Sequence, residues 1–143
     1  MEEVKILMVE DNPGDVRLAQ EILKEAKMKN TLNTVSDGEE AIKFLRKEGK
    51  YKGEERPDLV LLDWNLPKKS GYEVLEIIKK DKKLKYIPVV ILTSSEADED
   101  ILKAYDLNAN CYISKPVDLD QFIKVIKSIE NFWMTIVKLP RGE

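Results

Sequence analysis

A short apolar run that stops abruptly on polar residues, followed by a stretch of helical period, recurs five times along this chain. That alternation constrains the fold more than any other feature, because a strand followed by a helix, repeated, gives an α/β architecture with a parallel sheet. The predicted strands are Ile6–Val9, Thr31–Val35, Leu59–Leu62, Pro88–Leu92 and Cys111–Ile113. Leu59–Leu62 is apolar throughout, as a strand buried on both faces should be. Asp15 is predicted to cap the first helix, which presents Val16, Ala19, Leu23 and Ala26 on one face. Further helices are expected over Glu39–Arg46, Tyr72–Lys80 and Asp98–Leu107. A last one starts at Asp118 and carries Phe122, Ile126, Ile129, Trp133 and Ile136 in register. Glu48–Pro57, with its glycines, proline and charges, reads as a loop. The expected fold is a doubly wound five-stranded parallel sheet, order 2-1-3-4-5, with helices on both faces.

Composition narrows the chemistry. The chain has 143 residues, 43% apolar and 36% charged, which suits one domain with its own core rather than a disordered segment. The apolar runs fall far short of the ~18 residues that span a bilayer. Met1-Glu2-Glu3 is acidic where a secretory signal is basic, so a cytoplasmic protein without a membrane partner is expected. A net charge of −3 argues against a nucleic-acid partner. There is no histidine, which removes histidine acid/base chemistry and most zinc enzymes. The single cysteine, Cys111, forms no internal disulfide and reads as a small core residue. Carboxylates, hydroxyls and lysines are left to carry the function.

In a doubly wound sheet, ligands bind beyond the carboxyl ends of the strands. Glu10 and Asp11 follow the first strand, Asp63 the third, Thr93, Ser94 and Ser95 the fourth, and Ser114, Lys115 and Pro116 the fifth. If the 2-1-3-4-5 order holds, one of those known for such sheets, the first strand lies beside the third and three carboxylates are gathered. Unit charges 4 Å apart repel by about 4 kcal/mol at an effective dielectric of 20. Such a cluster must take up a proton, a cation or a neighbouring base. Oxygen-only ligands point to a hard ion, Mg²⁺ in preference to Ca²⁺. Aspartate can act as a nucleophile and form an aspartyl phosphate. Asp63, with no carboxylate beside it in sequence, is the best candidate. Lys115 would balance the charge of the phosphoryl group and Thr93 would donate to it. Taken singly, each of these residues also has a bland role, as a helix cap, a turn or a loop entry.

These motifs resemble the response-regulator receiver domains of two-component signalling, from about Val4 to Glu130. The carriers are Val9-Glu10-Asp11-Asn12, Leu61 to Pro67 with Asp63-Trp64-Asn65 at its centre, Ser70-Gly71, Ile91 to Ser95, and Tyr112-Ile113-Ser114-Lys115-Pro116. The resemblance implies the flavodoxin-like receiver fold, with Asp63 accepting a phosphoryl group from a phosphohistidine of a sensor histidine kinase. It implies that Asp11, Asp63 and the Asn65 carbonyl bind Mg²⁺ directly and that Glu10 acts through water. It assigns phosphate binding to Thr93, Ser94 and Lys115 and a switch to Thr93 and Tyr112. It also implies a cis peptide between Lys115 and Pro116. Asn65 and Ser95 match positions that tune phosphate lifetime. Glu10 departs from the aspartate commonest at its place.

A narrower resemblance is to the small stand-alone receivers that partner cyanobacterial and bacterial phytochromes. It is carried by Asn12-Pro13-Gly14-Asp15, Ala109-Asn110-Cys111-Tyr112, Pro116-Val117-Asp118-Leu119 and Phe132 to Pro140. The expected organisation is a receiver over 1–130 and, over 131–143, an extension of the last helix plus a short tail without an output domain. The extension continues an apolar stripe through Phe132, Trp133, Ile136 and Val137, either folded back on its own domain or buried in a homodimer. Output would then be protein contact or onward transfer of the phosphate in a phosphorelay. The run Lys79 to Lys85 reads as a solvated face or a docking patch. An Mg²⁺-dependent phosphohydrolase and a phosphorylation-independent scaffold are the rivals. Asn65 stands where haloacid-dehalogenase-like hydrolases carry their second aspartate, and Asp63 and Lys115 are both retained, as a scaffold would not require.

Overall fold

The structure is a computed structural model that describes residues 3–26, 29–93, 111–114, 120–121 and 124, with the main chain alone at Thr93 and 111–114. Its elements in chain order are β1 (Val4–Val9), α1 (Pro13–Glu25), β2 (Asn30–Val35), α2 (Gly38–Leu45), a 3₁₀ turn (Gly49–Tyr51), β3 (Leu59–Asp63), α3 (Gly71–Lys80), β4 (Val89–Thr93) and β5 (Cys111–Ser114). The strands are all parallel and lie in the order β2-β1-β3-β4-β5. Register pairs Val9 with Val35 on one side and with Leu62 on the other. On the far side of β3, Asp63 is level with Leu92.

Successive strand side chains point to opposite faces, and each face is covered by helices. Leu7, Val9, Val60, Leu62, Val89 and Ile91 pack under α2 and α3. Ile6, Met8, Leu59, Leu61, Val90 and Leu92 pack under α1 through Ala19, Ile22 and Leu23. Every residue of β3 is buried, as its unbroken apolar run predicts. β2 pairs only with β1 among the described strands, and its mixed sequence fits that edge: Thr31 and Thr34 are exposed and only Val35 is buried. The flavodoxin-like plan, a parallel sheet with helices on both faces, is the expected one.

Several boundaries differ from expectation for local reasons. The first helix is capped by Asn12, not Asp15. The Asn12 side-chain oxygen accepts from Gly14 N at 2.8 Å and Asp15 N at 3.1 Å, and Pro13, with φ already set for a helix, occupies the first turn. Asp15 instead lies in that turn, where its charge complements the helix dipole. α3 starts one residue early because Ser70 and Glu73 form a capping box. The loop before β3 holds the 3₁₀ turn, fastened where Tyr51 packs on Phe44 with ring centroids 5.2 Å apart.

The lysine run from Lys79 to Lys85, which begins in the last turn of α3, is not uniformly solvated. Lys79 Nζ donates to the carbonyls of Lys85 at 3.4 Å and Ile87 at 3.3 Å, and burial pushes its pKa down. The expected helix over Asp98–Leu107 lies outside the described residues. Of the one starting at Asp118, positions 120, 121 and 124 are described, and they are helical and exposed. No helix among the described residues is long and apolar enough to cross a membrane.

Candidate functional site

The carboxyl ends of β1 and β3 sit side by side because Val9 and Leu62 are in register, so the residues that follow them meet. Glu10 N donates to Val35 O at 3.0 Å, which carries the pairing with β2 one residue past β1 and keeps Glu10 buried. Asp11 then turns out to solvent. Asp63 closes β3 and is 3% exposed, and Trp64 N donates to Leu92 O at 2.9 Å to hold the strand end against β4. One carboxylate oxygen from each of Glu10, Asp11 and Asp63 lies within 4.8 Å of the other two. Two local bonds orient the set: Asn12 N donates to Glu10 Oε2 at 3.3 Å, and Asn65 N donates to Asp63 Oδ1 at 3.3 Å.

Three carboxylates this close, two of them buried, repel one another strongly when ionised. The donor set is all oxygen, and one member faces solvent. That combination fits a hard divalent cation which keeps some of its ligands as water or phosphate oxygen. Glu10, Asp11 and Asp63 are the residues that would hold it.

The loop between β3 and α3 is shaped by contacts absent from any motif. Gly71 N donates to Trp64 O at 3.1 Å, which folds the loop back on its own start. Trp64 is buried and meets Tyr72 edge-on at 6.0 Å, so its indole lies in the core under α3 while its main chain borders the site. Asp37 caps α2, its Oδ1 accepting from Glu40 N at 2.9 Å, and its Oδ2 lies 3.7 Å from Lys68 Nζ. A cleft of about 650 Å³ runs from Glu10 and Asp11 past Asp37 to Glu40, Tyr51 and Lys68. Along its wall the Tyr51 hydroxyl donates to Glu40 Oε1 at 2.5 Å. Burial, then this bond, pushes the Tyr51 phenol up to about 12, while the same bond is the main cause that lowers Glu40.

Thr93 is level with Ser114 across β4 and β5, and Tyr112 is level with Ile91. The main chain of Thr93 therefore ends β4 at the same sheet edge as Asp63. Ser94, Ser95, Lys115, Pro116, Phe132, Trp133, Ile136 and Val137 lie outside the described residues. Asp37, Tyr51 and Lys68 line the cleft beside Glu10 and Asp11, and no motif in the sequence marks them as site residues. The Asp-Gly pair reads as a turn in sequence, and nothing local signals what it packs against.

A flavodoxin-like sheet with an acidic, oxygen-only pocket at the carboxyl edge defines a class of α/β domain that binds a divalent cation beside a strand-end aspartate. Residues 6–127 match the response regulator receiver domain, and the chain belongs to that family of two-component signalling proteins. It is 46% identical over 135 residues to response regulator Rcp1 of Synechocystis, covering 94% of this chain and 92% of that protein. Among solved structures it resembles the phosphorylated cyanobacterial phytochrome response regulator RcpA. The TM-score is 0.81 and the identity 50%, over 96% of this chain and 99% of RcpA. The Mn²⁺-bound form of Rcp1 gives a TM-score of 0.80 at 45% identity, over 96% of this chain and 99% of that one.

Proposed function

We propose that this chain is a response regulator whose Asp63 accepts a phosphoryl group from a phosphohistidine of a sensor histidine kinase of phytochrome type. The observation that carries the reading is the convergence of Glu10, Asp11 and Asp63 at one strand edge, with oxygens within 4.8 Å. One Asp63 oxygen forms a bond to phosphorus as the phosphorus–nitrogen bond breaks, and the bonding pair leaves with the imidazole nitrogen. Asn65 N, donating to Asp63 Oδ1, orients the carboxylate for that attack. Asp11, Asp63 and the Asn65 carbonyl would hold Mg²⁺, with Glu10 acting through water, and the bound ion would supply charge neutralisation for the transferring oxygens. Thr93, Ser94 and Lys115 receive the phosphoryl oxygens, and Thr93 with Tyr112 forms the two-state switch read by a protein partner.

The phytochrome partnership is supported by RcpA, described as a cyanobacterial phytochrome response regulator, and by the bacteriophytochrome response regulator RtBRR, 37% identical. In this reading the protein is a cytoplasmic signalling domain rather than an enzyme. In the same reading 1–130 would form the receiver, and 131–143 would extend its last helix and end in a short tail, with Phe132, Trp133, Ile136 and Val137 as the contacts of a homodimer unless the stripe folds back on its own domain. The test is intact-protein mass after incubation with Mg²⁺ and acetyl phosphate or phosphoramidate, beside Asp63→Asn. A single hydroxylamine-sensitive phosphoryl adduct on the wild type alone is expected. Phosphotransfer from a purified phytochrome kinase then tests the partner. No adduct on the wild type with any donor would overturn the reading.

A further inference from the structure

The β2–α2 corner reaches across to the loop that follows Asp63, and it does so at two adjacent points. Gly38, the first residue of α2, packs so closely on that loop that a Cβ there would lie 2.4 Å from Lys69 O and 2.6 Å from Lys69 Cβ. Such a contact is open only to glycine, and because one of the opposing atoms is main chain, no rotamer change relieves it. The residue before it, Asp37, uses its two carboxylate oxygens for different tasks. One caps α2 and the other faces Lys68 Nζ at 3.7 Å. Lys68 itself has φ +66°, a left-handed conformation unfavourable for a residue with a side chain.

We propose that Asp37, Gly38 and Lys68 form a clamp that positions the phosphoacceptor loop, so that α2 sets the orientation of the Asp63 carboxylate. The coupling path is short. Lys68 and Lys69 fix the loop's middle, Gly71 fixes its end against Trp64 O, and Asn65 N, near its start, donates to Asp63 Oδ1. A loop released from α2 loses the constraint that holds the Asn65 N–H on the acceptor oxygen. Sub-ångström placement of a nucleophile is worth large factors in rate, so a modest tether has a measurable kinetic reach. The three residues touch neither phosphoryl donor nor acceptor atom in this scheme; they act through the loop. The inference rests on Asp63 being the acceptor only for its kinetic arm.

The experiment uses Asp37→Asn, which keeps an N-cap oxygen but removes the charge facing Lys68, together with Lys68→Gln, Lys68→Arg, the Asp37→Asn/Lys68→Gln double variant and Gly38→Ala. Amide hydrogen exchange is followed at Asn65 and Lys69 in metal-free protein. Mg²⁺ titration and the rate of phosphorylation by saturating phosphoramidate are measured beside it, with urea unfolding as the control for global stability. The expected result is about two- to fivefold faster exchange at Asn65 and a matching fall in phosphorylation rate for Asp37→Asn and Lys68→Gln. The double variant should be no worse than either single change, and Lys68→Arg should restore wild-type values. Gly38→Ala should cost about tenfold or more in rate.

Wild-type exchange and wild-type rates in both Asp37→Asn and Lys68→Gln would overturn the clamp. So would effects that simply add, or that track global stability. Should the wild type take up no phosphoryl group, the acceptor reading fails by itself, and the exchange arm still decides whether the clamp exists.

Discussion

The Cα of Gly71 lies against the carbonyl of Asp63: a methyl group built there would sit 2.6 Å from that oxygen and 2.7 Å from Trp64 Cα. The first turn of α3 is thus seated on the main chain of the proposed acceptor itself. Its partners are backbone atoms, so Gly71→Ala can be relieved only by moving the helix or the strand end. Unfolding in urea should show a loss of about 1–3 kcal/mol, the usual cost of overpacking a tight contact. Phosphorylation of the folded variant should also slow. A variant of wild-type stability and rate would show that the strand end yields freely.

The acidic cluster makes a charge prediction of opposite sign for the metal-free and Mg²⁺-loaded protein. With three carboxylate oxygens within 4.8 Å, removing one charge relieves repulsion whenever no cation is present. Asp63→Asn should therefore raise the metal-free stability by about 1 kcal/mol, or about 3–4 °C in Tm. The rise in Tm that Mg²⁺ produces in the wild type, which follows RT ln(1 + [L]/Kd), should shrink in the variant because affinity falls. Differential scanning with and without 10-fold steps of Mg²⁺ separates the two effects. Equal Mg²⁺ responses would remove Asp63 from the cation site.

The parts of this architecture that follow from pattern are the parts set by burial. Leu59–Leu62 is apolar at every position because both sheet faces are covered, and that run is visible without coordinates. Once β1 and β3 are neighbours, Glu10, Asp11 and Asp63 must meet, so the cluster is legible from the strand ends. Contacts between remote loops are different in kind. Nothing adjacent to Gly38 in sequence announces Lys69 O, and nothing near Tyr51 announces Glu40, because such pairs depend on how two connections fold over the sheet. The first helix shows a third case. Asp15 and Asn12 are both good capping residues, and Pro13 decides between them by presetting helical φ immediately after Asn12.

That cap is testable alone. Asn12 Oδ1 takes the N–H groups of both Gly14 and Asp15, which α1 itself leaves without partners. Asn12→Ala should destabilise the protein by about 1 kcal/mol, whereas Asn12→Asp should keep the cap and lose a few tenths at most. Asp15→Ala should cost less than Asn12→Ala, since it is the Asn12 side chain that takes the two N–H groups, while Asp15 places a charge near the helix start. Urea midpoints of the three variants give the ranking, and an Asp15 effect exceeding that of Asn12 would return the cap to Asp15.

The Tyr51–Glu40 bond closes the 3₁₀ turn over α2 and gives stability a bounded pH window. The Tyr51 hydroxyl is the leading cause that lowers Glu40, with burial opposing it and Lys50 and Lys43 adding to it. A carboxyl lowered on folding contributes stability above its unfolded pKa, near 4.5, and that contribution fades as pH falls through the lower folded value. Tyr51 is raised, mainly by burial and then by Glu40, from 10.0 to about 12. Above pH 10 the unfolded chain loses this proton while the native protein keeps it, so stability falls between pH 10 and about 12. Tyr51→Phe keeps the ring contact with Phe44 but removes the hydroxyl. The stability gap between wild type and Tyr51→Phe should be flat and largest from about pH 5 to 10, then narrow on both sides. Urea unfolding across pH 3–11 measures it, and a gap of constant size throughout would mean that the hydroxyl's partner is not the Glu40 carboxylate.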